Sequence, residues 1–409
     1  MEEGHGANPF RPGAGRVPPE LAGRDAILRH VSDVMSQMLE QGEGDRPIII
    51  SGLRGVGKTV LINEFVRGAH ATGRWVAIKV EAVAGGSLRK SLAQAMFLEL
   101  RKLMTPGEHV HQRVRQLFQV FRSFQIKVDP SGTYSFGIDV DAMAGRADTG
   151  DFERDILDLL EELGTAAREL DMGVLIAIDE LQDAPRDDLN GLNVALHTLG
   201  QGAVPVPVLF VGTGLPSLPA VLADATSYAE RLYDYRGLGL LDDEETIVAL
   251  TRPAEARGVT WSEAALTVAK ASIRGYPYFA QACGKHVWDV AVSAEISAAD
   301  ADIGVGLARD EVDRGLYQSR WDRATPAQRE MMKAMALDHG TPSAIQDLVI
   351  RTGKSRTSDL SVSRNELIKN GHIYASDRGY VAFTVPGMAD FIERKYLDGR
   401  EVADLEPID

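Results

Sequence analysis

The sequence predicts an α/β fold in which a parallel sheet precedes a helical region and a small C-terminal module. Two apolar runs, at 47–51 and 173–178, suit strands that are buried on both faces. Helical patterns alternate with these and other strands, an order that gives a parallel sheet. At 321–396 the pattern changes to three short helices and two alternating strands around a tight turn.

A glycine-rich segment joins the first strand to the next helix. Residues 52–59 read GLRGVGKT and fit the pattern G-x-x-x-x-G-K-[ST] of phosphate-binding loops. Such glycines let several backbone N–H groups converge, and the helix N-terminus adds partial positive charge. We expect Lys58 to reach the β- and γ-phosphates of a nucleotide and Thr59 to ligate Mg²⁺. The predicted phosphate-binding residues are Gly52, Arg54, Gly55, Val56, Gly57, Lys58, Thr59 and Val60.

Two carboxylates end the second apolar run. Asp179 and Glu180 follow the strand predicted at 173–178, and open α/β sheets bind ligands at the carboxyl ends of their strands. Asp179 is predicted to hold Mg²⁺ through its water shell, and Glu180 to orient or deprotonate the attacking water. A strand that simply ends in solvated acids is the alternative, and the loop upstream favours the functional interpretation.

The composition excludes several classes of protein. A chain of 409 residues suggests two or three domains, and 44% hydrophobic residues permit a full core. The net charge of −15 argues against a protein that coats nucleic acid over its whole surface, although a local binding surface stays open. Cys283 is the only cysteine, which excludes an intrachain disulfide and a cysteine-based zinc site and fits a reducing cytoplasm.

One uncharged stretch is long enough to cross a membrane. Residues 198–223 contain four prolines and several glycines, a density that breaks a spanning helix. We therefore predict a buried strand at 206–212 followed by a loop, and no membrane segment. The acidic N-terminus also lacks the apolar centre of a signal peptide.

The chain is predicted to divide into five parts. A Gly/Pro-rich extended arm (1–19) precedes the nucleotide-binding core (20–241), a helical lid and bridge (242–320), the C-terminal module (321–396) and an acidic tail (397–409). Alternating residues at 124–128 and 134–140 flank a turn at 129–132 and predict a β-hairpin inserted at about 120–142. This hairpin either contacts a ligand or a partner, or it is an insertion in the core without a binding role.

The C-terminal module is predicted to be a winged helix-turn-helix. Its helices are expected at 325–337, 343–352 and 358–369, with a hairpin at 372–385. Residues 321–400 contain 12 Lys or Arg and 10 Asp or Glu, so this module is basic relative to the acidic chain. Helix 358–369 is predicted to enter the major groove of a DNA duplex. The predicted DNA contacts are Lys354, Arg356, Arg364, Lys369 and Arg378.

Together, these motifs resemble the AAA+ and STAND group of ATPases, nearest to the archaeal-ATPase and origin-recognition-initiator branch. The resemblance covers about 20–290 and includes three weaker motifs at 21–24 (LAGR), 211–214 (VGTG) and 275–277 (GYP). It implies that Gly23 and Arg24 flank the adenine, that Thr213 touches the γ-phosphate as a first sensor, and that Pro277 packs near the adenine. The nucleotide it implies is ATP or ADP with Mg²⁺.

One departure from that branch bears on function. Initiator lids often carry a second-sensor arginine after the glycine, whereas here Arg274 precedes Gly275 and Pro277 completes a STAND-like G-x-P motif. This favours a STAND-like switch over a replication loader. The resemblance also implies an arginine that reaches a neighbouring subunit's site, with Arg231 as the candidate and Arg236 second. An exposed, salt-bridging arginine is the alternative for both.

The sequence is compatible with two functions. The first is an ATP-hydrolysing switch, slow or stimulated by partners, that couples nucleotide state to assembly and to duplex DNA through the winged helix. The second is a STAND-like signalling ATPase whose winged helix is an autoinhibitory or protein-docking element. A metabolic kinase is disfavoured, since no acceptor site is evident. The expected partners are ATP, DNA, and a second copy or another protein, in the cytoplasm and without a membrane.

Overall fold

The computed structural model describes residues 6–102, 124–128, 134–138, 152–202 and 205–397. An α/β core comes first and contains the following elements: α1 (Asp25–Gln41), β1 (Ile48–Ser51), α2 (Lys58–Thr72), β2 (Trp75–Glu81), α3 (Leu88–Lys102), β3 (Phe124–Val128), β4 (Tyr134–Ile138), α4 (Phe152–Glu169), β5 (Gly173–Asp179), α5 (Arg186–Gly200), β6 (Val208–Gly214), α6 (Leu218–Ala225), α7 (Ala229–Leu232) and β7 (Asp234–Gly237).

The core sheet has five parallel strands in the order β2-β5-β6-β1-β7. Ile48 and Ile50 pack with α1 and α2 on one face of the sheet, while Ile49 joins α3, α4 and α5 on the other. Burial on both faces explains why this segment is apolar at successive positions. β1 and β5 both pair in parallel with β6, which lies between them. Their carboxyl ends therefore lie at the same edge of the sheet, and these ends carry the phosphate loop and the acidic pair.

The stretch 198–223 forms the end of α5, the interior strand β6 and most of α6. All seven residues of β6 are buried within the sheet. No helix in the described parts of the chain combines the length and apolarity needed to span a bilayer.

The two strands of the inserted hairpin pair antiparallel. Phe124 in β3 lies opposite Ile138 in β4, and Val128 lies opposite Tyr134. The predicted turn at 129–132 and the last two residues of the predicted second strand, 139–140, lie outside the described residues.

After the core come a lid and a bridge, which contain α8 (Asp243–Glu255), β8 (Thr260–Trp261), α9 (Glu263–Ile273), α10 (Pro277–Val290), β9 (Glu295–Ile296), α11 (Ala298–Val312) and α12 (Gln318–Arg323). The expectation that the lid is helical throughout is wrong at β8, which pairs in parallel with β9. A π-helical turn, Asp313–Tyr317, joins α11 to α12.

The C-terminal module contains α13 (Pro326–Ala336), β10 (Ser343–Ala344), α14 (Ile345–Arg351), α15 (Ser361–Lys369), β11 (Ile373–Asp377), β12 (Tyr380–Phe383) and α16 (Met388–Tyr396). The strands form an antiparallel sheet in the order β10-β12-β11. The helix predicted at 343–352 begins only at Ile345, because Ser343 and Ala344 pair with β12. The helix predicted at 358–369 begins with a 3₁₀ turn, Thr357–Leu360.

The lid and the C-terminal module share a continuous hydrophobic core. Arg274 of the lid pairs with Asp390 of α16 at 2.9 Å. Arg394 of α16 pairs at 2.9 Å with Asp313, which is buried in the π-helical turn. The hydroxyl of Tyr317 donates to the carbonyl of Pro386 at 2.7 Å. The module is therefore packed against the rest of the chain.

Candidate nucleotide-binding site

The phosphate loop is shaped by two glycines in the left-handed region, Gly55 (φ 79°) and Gly57 (φ 104°). It leads into the N-terminus of α2, where Lys58 is buried. The Lys58 ammonium donates to the carbonyls of Gly52 and Leu53, each at 2.9 Å. Burial lowers the pKa of Lys58, and the carboxylates of Glu180 and Asp179 partly oppose that shift.

Asp179 is the residue on which three elements converge. The Thr59 hydroxyl of α2 donates to one carboxylate oxygen of Asp179 at 2.7 Å. Thr213 of β6, fully buried, donates to the other. The structure thus brings together both predicted Mg²⁺ ligands and the predicted sensor. A carboxylate with hydroxyl oxygens is the donor set that Mg²⁺ prefers when it also holds nucleotide phosphates.

Glu180 occupies an unusual backbone position. Its φ of 51° lies in the left-handed region, which costs a residue with a Cβ about 1–2 kcal/mol. Its side chain accepts a hydrogen bond from the Gln182 amide at 2.7 Å and lies 3.9 Å from the Arg54 guanidinium. The side-chain oxygen of Gln182 in turn accepts from the backbone N–H of Leu215, just beyond β6. Gln182 therefore positions the Glu180 carboxylate relative to β6.

Of the residues described so far, Arg54, the loop residues 55–59 and Glu180 line a cavity of about 360 Å³. The arm, the phosphate loop, the lid, the bridge and the C-terminal module all contribute to its walls. Its walls include Arg11, Gly15 and Pro18 of the arm, Gly55, Lys58 and Thr59 of the phosphate loop, Tyr276, Pro277 and Gln281 of the lid, and Leu316, Arg320 and Val385 of the bridge and C-terminal module.

Arg24 ties the phosphate loop to the end of the sheet. Its buried guanidinium donates to the carbonyl of Val56 and to that of Gly239, both at 3.0 Å. Arg24 lines the cavity as well. The side chain thus holds the shape of the loop, a contribution that its motif alone did not indicate.

The G-x-P segment brings the lid against the phosphate loop. Gly275 accepts a hydrogen bond from the Leu241 N–H at 2.8 Å, and a Cβ there would approach the Leu241 carbonyl oxygen to 2.1 Å. Tyr276 lies over Gly55, where a Cβ would be 2.3 Å from the phenol oxygen. Burial raises the pKa of Tyr276. Pro277, the first residue of α10, also lines the cavity.

The Gly/Pro-rich arm crosses the cavity. Phe10 is buried in the lid core, and Asn8 donates to the carbonyl of Lys285 at 2.9 Å. Further along, the Gly15 carbonyl accepts from Asn63 of α2 at 3.4 Å. The composition predicted an extended segment and gave no sign that it would line the site.

The C-terminal module also touches the phosphate loop. The backbone N–H of Arg54 donates to the carbonyl of Thr384 at 2.8 Å. Arg320 of α12 lines the cavity and donates to the Gly371 carbonyl at 2.9 Å. Arg320 and Val385 were not predicted as site residues, because each lies outside any motif and acquires its place through tertiary contacts. Gln182 lies in the acidic motif at 179–182, but its contacts with Glu180 and Leu215 arise only in the fold.

The two arginines predicted to reach a neighbouring subunit's site (arginine fingers) do not line the nucleotide cavity. Arg231 is exposed on α7 and lines a surface cavity together with Pro47 and Val208, which stand at the amino ends of β1 and β6. This edge of the sheet is opposite to the phosphate loop. Arg236 pairs with Asp234 at 2.8 Å within β7.

The predicted DNA contacts are on the outer surface of the C-terminal module. Lys354, Arg356, Lys369 and Arg378 are exposed, and Arg364 is half-buried. None of the five lines the nucleotide cavity. Val362 of α15 and Ile350 of α14 are exposed on the same module, at 74% and 76%.

Two family models match the chain. Residues 20–211 match the AAA ATPase domain. Residues 314–392, which include most of the C-terminal module, match a Domain of unknown function (DUF8462). Among curated proteins, no sequence is significantly similar to this chain.

Solved structures share the fold over nearly the whole chain. The Walker-type ATPase PABY2304 of Pyrococcus abyssi is similar with a TM-score of 0.56 and 15% identity, over 94% of this chain and 98% of that one. The ORC2 protein of Aeropyrum pernix, solved as ADPNP–ADP complexes, gives 0.55 and 16%, over 96% of each chain. At these identities the likeness concerns the fold. Residues 20–211 therefore form an AAA ATPase domain, and the chain as a whole shares the fold of these two ATPase-type structures.

Proposed function

We propose that this ATPase is a switch that couples its nucleotide state to duplex DNA binding through the C-terminal module. The observation that carries the proposal is the direct contact between that module and the phosphate loop, from the Arg54 N–H to the Thr384 carbonyl. A change at the loop on nucleotide binding or hydrolysis reaches the module through this bond. Nucleotide-dependent self-assembly, or docking to a protein partner, is part of the same proposal.

The chemistry of the switch is assigned to residues that converge at the sheet edge. Lys58 and the N–H groups of residues 55–60 bind the phosphates, and Glu180 orients or deprotonates the attacking water. Thr59 and Asp179 would hold Mg²⁺, which would neutralise phosphate charge. Thr213 holds the Asp179 carboxylate in place. Arg24 and Pro277 border the part of the cavity assigned to the nucleoside.

The order of elements in the module supports its assignment as a winged helix. A helix, a short strand, two further helices and a β-hairpin follow one another, and in helix-turn-helix proteins the second helix of the motif lies in the major groove. The basic residues predicted to contact DNA lie on α15, before it and at the tip of the hairpin. Four of the five are exposed, as contacts to phosphates require.

A second candidate function is supported by a specific observation. Val362 is 74% exposed on α15, the helix assigned to the groove, and Ile350 is 76% exposed on the helix before it. Large exposed apolar side chains are typical of protein-docking surfaces. The alternative is therefore a STAND-like signalling ATPase in which this surface of the module binds a protein.

Binding of a labelled duplex tests the proposal. The titrations compare two salt concentrations and three states: ATP with the Glu180→Gln variant, ADP, and no nucleotide. We expect salt-dependent binding, tighter in one nucleotide state, because released counterions drive protein–DNA association. A variant in which Arg378 and Lys354 are replaced by Gln should bind every duplex sequence more weakly, because these residues are predicted to contact phosphates. A module that binds no duplex in any state would rule out the DNA switch and favour the protein-docking alternative.

A further inference from the structure

Arg320 lies where the bridge, the C-terminal module and the nucleotide cavity meet. It is on α12, outside every motif, yet it lines the same cavity as Lys58, Arg54 and Glu180. Arg320 thus adds a cationic side chain to a cavity that Lys58 and Arg54 of the phosphate loop also line.

These positive charges act on one another. Burial lowers the pKa of Arg320 to about 10, and the neighbouring Arg54 and Arg323 add to the shift. The adjacent His372 does not add a further charge near neutral pH, because burial and the same three arginines lower its pKa to about 4. An anion that entered the cavity would relieve the repulsion among the arginines, and a triphosphate would do so more than a diphosphate because it carries more charge.

Arg320 is also bonded to the C-terminal module. Its guanidinium donates to the Gly371 carbonyl at 2.9 Å, and the Thr384 hydroxyl donates to the same carbonyl at 2.7 Å. The carbonyl of Thr384 in turn accepts from the Arg54 N–H. A chain of hydrogen bonds therefore runs from Arg320 through the module to the phosphate loop.

We propose that Arg320 is a ligand of the γ-phosphate from within the same chain, and that its bond to Gly371 couples the presence of that phosphate to the position of the C-terminal module. A guanidinium has five N–H donors in a planar fork, so a single bond to Gly371 leaves donors for a phosphate. This inference rests on the proposed function, since it names the residue that distinguishes ATP from ADP.

Nucleotide affinities of three variants test the first half of the inference. Fluorescent ATP and ADP analogues are titrated into Glu180→Gln protein that carries Arg320→Gln, Arg320→Lys, or the control Arg314→Gln, an exposed arginine of the same bridge. We expect Arg320→Gln to weaken ATP binding about tenfold or more, as for a lost charge-assisted hydrogen bond, and ADP binding less than about twofold. Arg320→Lys should recover part of the loss, and Arg314→Gln should change neither affinity.

Unchanged ADP binding shows that the variant is folded, so the ATP result is decisive. Equal losses for both nucleotides, an unchanged ATP affinity, or a wild-type protein without preference for ATP would each overturn the inference. A wild-type protein that binds neither nucleotide would instead overturn the proposed function itself.

Hydrogen exchange of the backbone amides at 371–385 tests the coupling. With Arg320 present, we expect protection of this segment to differ between the ATP state and the ADP state. In Arg320→Gln the two states should give the same protection. A nucleotide-dependent difference that persists in Arg320→Gln would show that the signal reaches the module without Arg320 and would overturn the coupling.

Discussion

Glu180 combines a left-handed backbone with a carboxylate held by Gln182 and faced by Arg54. A glutamate that served only as a solvated strand end would have no reason to adopt this backbone, whose cost the rest of the site must offset. The position is therefore best explained by the need to direct the carboxylate at the cavity.

We expect Glu180→Gln to bind ATP with near-normal affinity and to lose at least about 10²-fold in hydrolysis, because general-base catalysis contributes at least that much. Phosphate release and analogue titration measure the two effects. Lys58→Ala is the contrasting variant, since it should weaken triphosphate binding itself. Normal turnover in Glu180→Gln would remove this residue from its assigned role.

His372 gives the protein a pH dependence whose sign follows from its environment. The folded pKa is about 4, lowered by burial and by Arg320, Arg323 and Arg54, against an ordinary value of 6.5. Between these values the unfolded chain binds a proton that the folded chain does not. The contribution of neutral His372 is thus fully present above pH 6.5 and is lost as the pH falls towards 4.

Urea denaturation between pH 4.5 and 7.5 checks this expectation. The free energy of unfolding of the wild type should fall more steeply with decreasing pH than that of His372→Gln, by at most about 1.4 kcal/mol per pH unit for one proton. Parallel curves for the two proteins would show that His372 does not titrate in this way.

Which residues of the site could be predicted depends on how each is encoded. The phosphate loop and the acidic pair have fixed local spacing, so Lys58, Thr59 and Asp179 could be identified from the sequence, and the structure brings them together. Arg320 has no such spacing, and its position follows from how the bridge packs, which no local pattern specifies. Gln182 follows the acidic pair directly in the chain, but its hydrogen bonds with Glu180 and Leu215 depend on how the turn after β5 folds.

At the scale of elements, long segments were predictable and very short ones were not. β5 and β6 are buried strands of seven residues, with the hydrophobic runs that such strands need. β8 and β10 have two residues each and exist only because a partner strand lies beside them. A strand of that length has no period to detect, which explains both corrections to the predicted helices.

Helix caps, in contrast, are local and testable. Thr325 is the N-cap of α13, and its hydroxyl accepts from the Gln328 N–H while the Gln328 side chain accepts from the Thr325 N–H. We expect Thr325→Ala to lower the free energy of unfolding by about 1 kcal/mol, measured in urea. Ser319→Ala, an exposed position inside α12, is the control and should change stability little. If both substitutions lowered the free energy of unfolding equally, the Thr325 cap would not be a specific source of stability.

At the scale of the whole molecule, the position of Arg231 determines how it can act. The amino-terminal edge of the sheet, where Arg231 is exposed, is opposite to the nucleotide cavity of the same chain. A finger at that edge can serve only the site of a neighbouring subunit. Arg236 is the weaker candidate, because its guanidinium is paired with Asp234.

This arrangement predicts complementation between two inactive variants. Arginine fingers contribute about 10³–10⁵ to kcat, so we expect Arg231→Ala to lose at least about 10²-fold. Lys58→Ala should also be inactive, although its Arg231 is intact. Mixed assemblies place an intact Arg231 beside an intact site, so the mixture should hydrolyse ATP well above either variant alone. The activity per subunit of the wild type should likewise fall on dilution. If activity is constant on dilution and Arg231→Ala is fully active, each subunit completes its own site, and the arginine is an exposed surface residue.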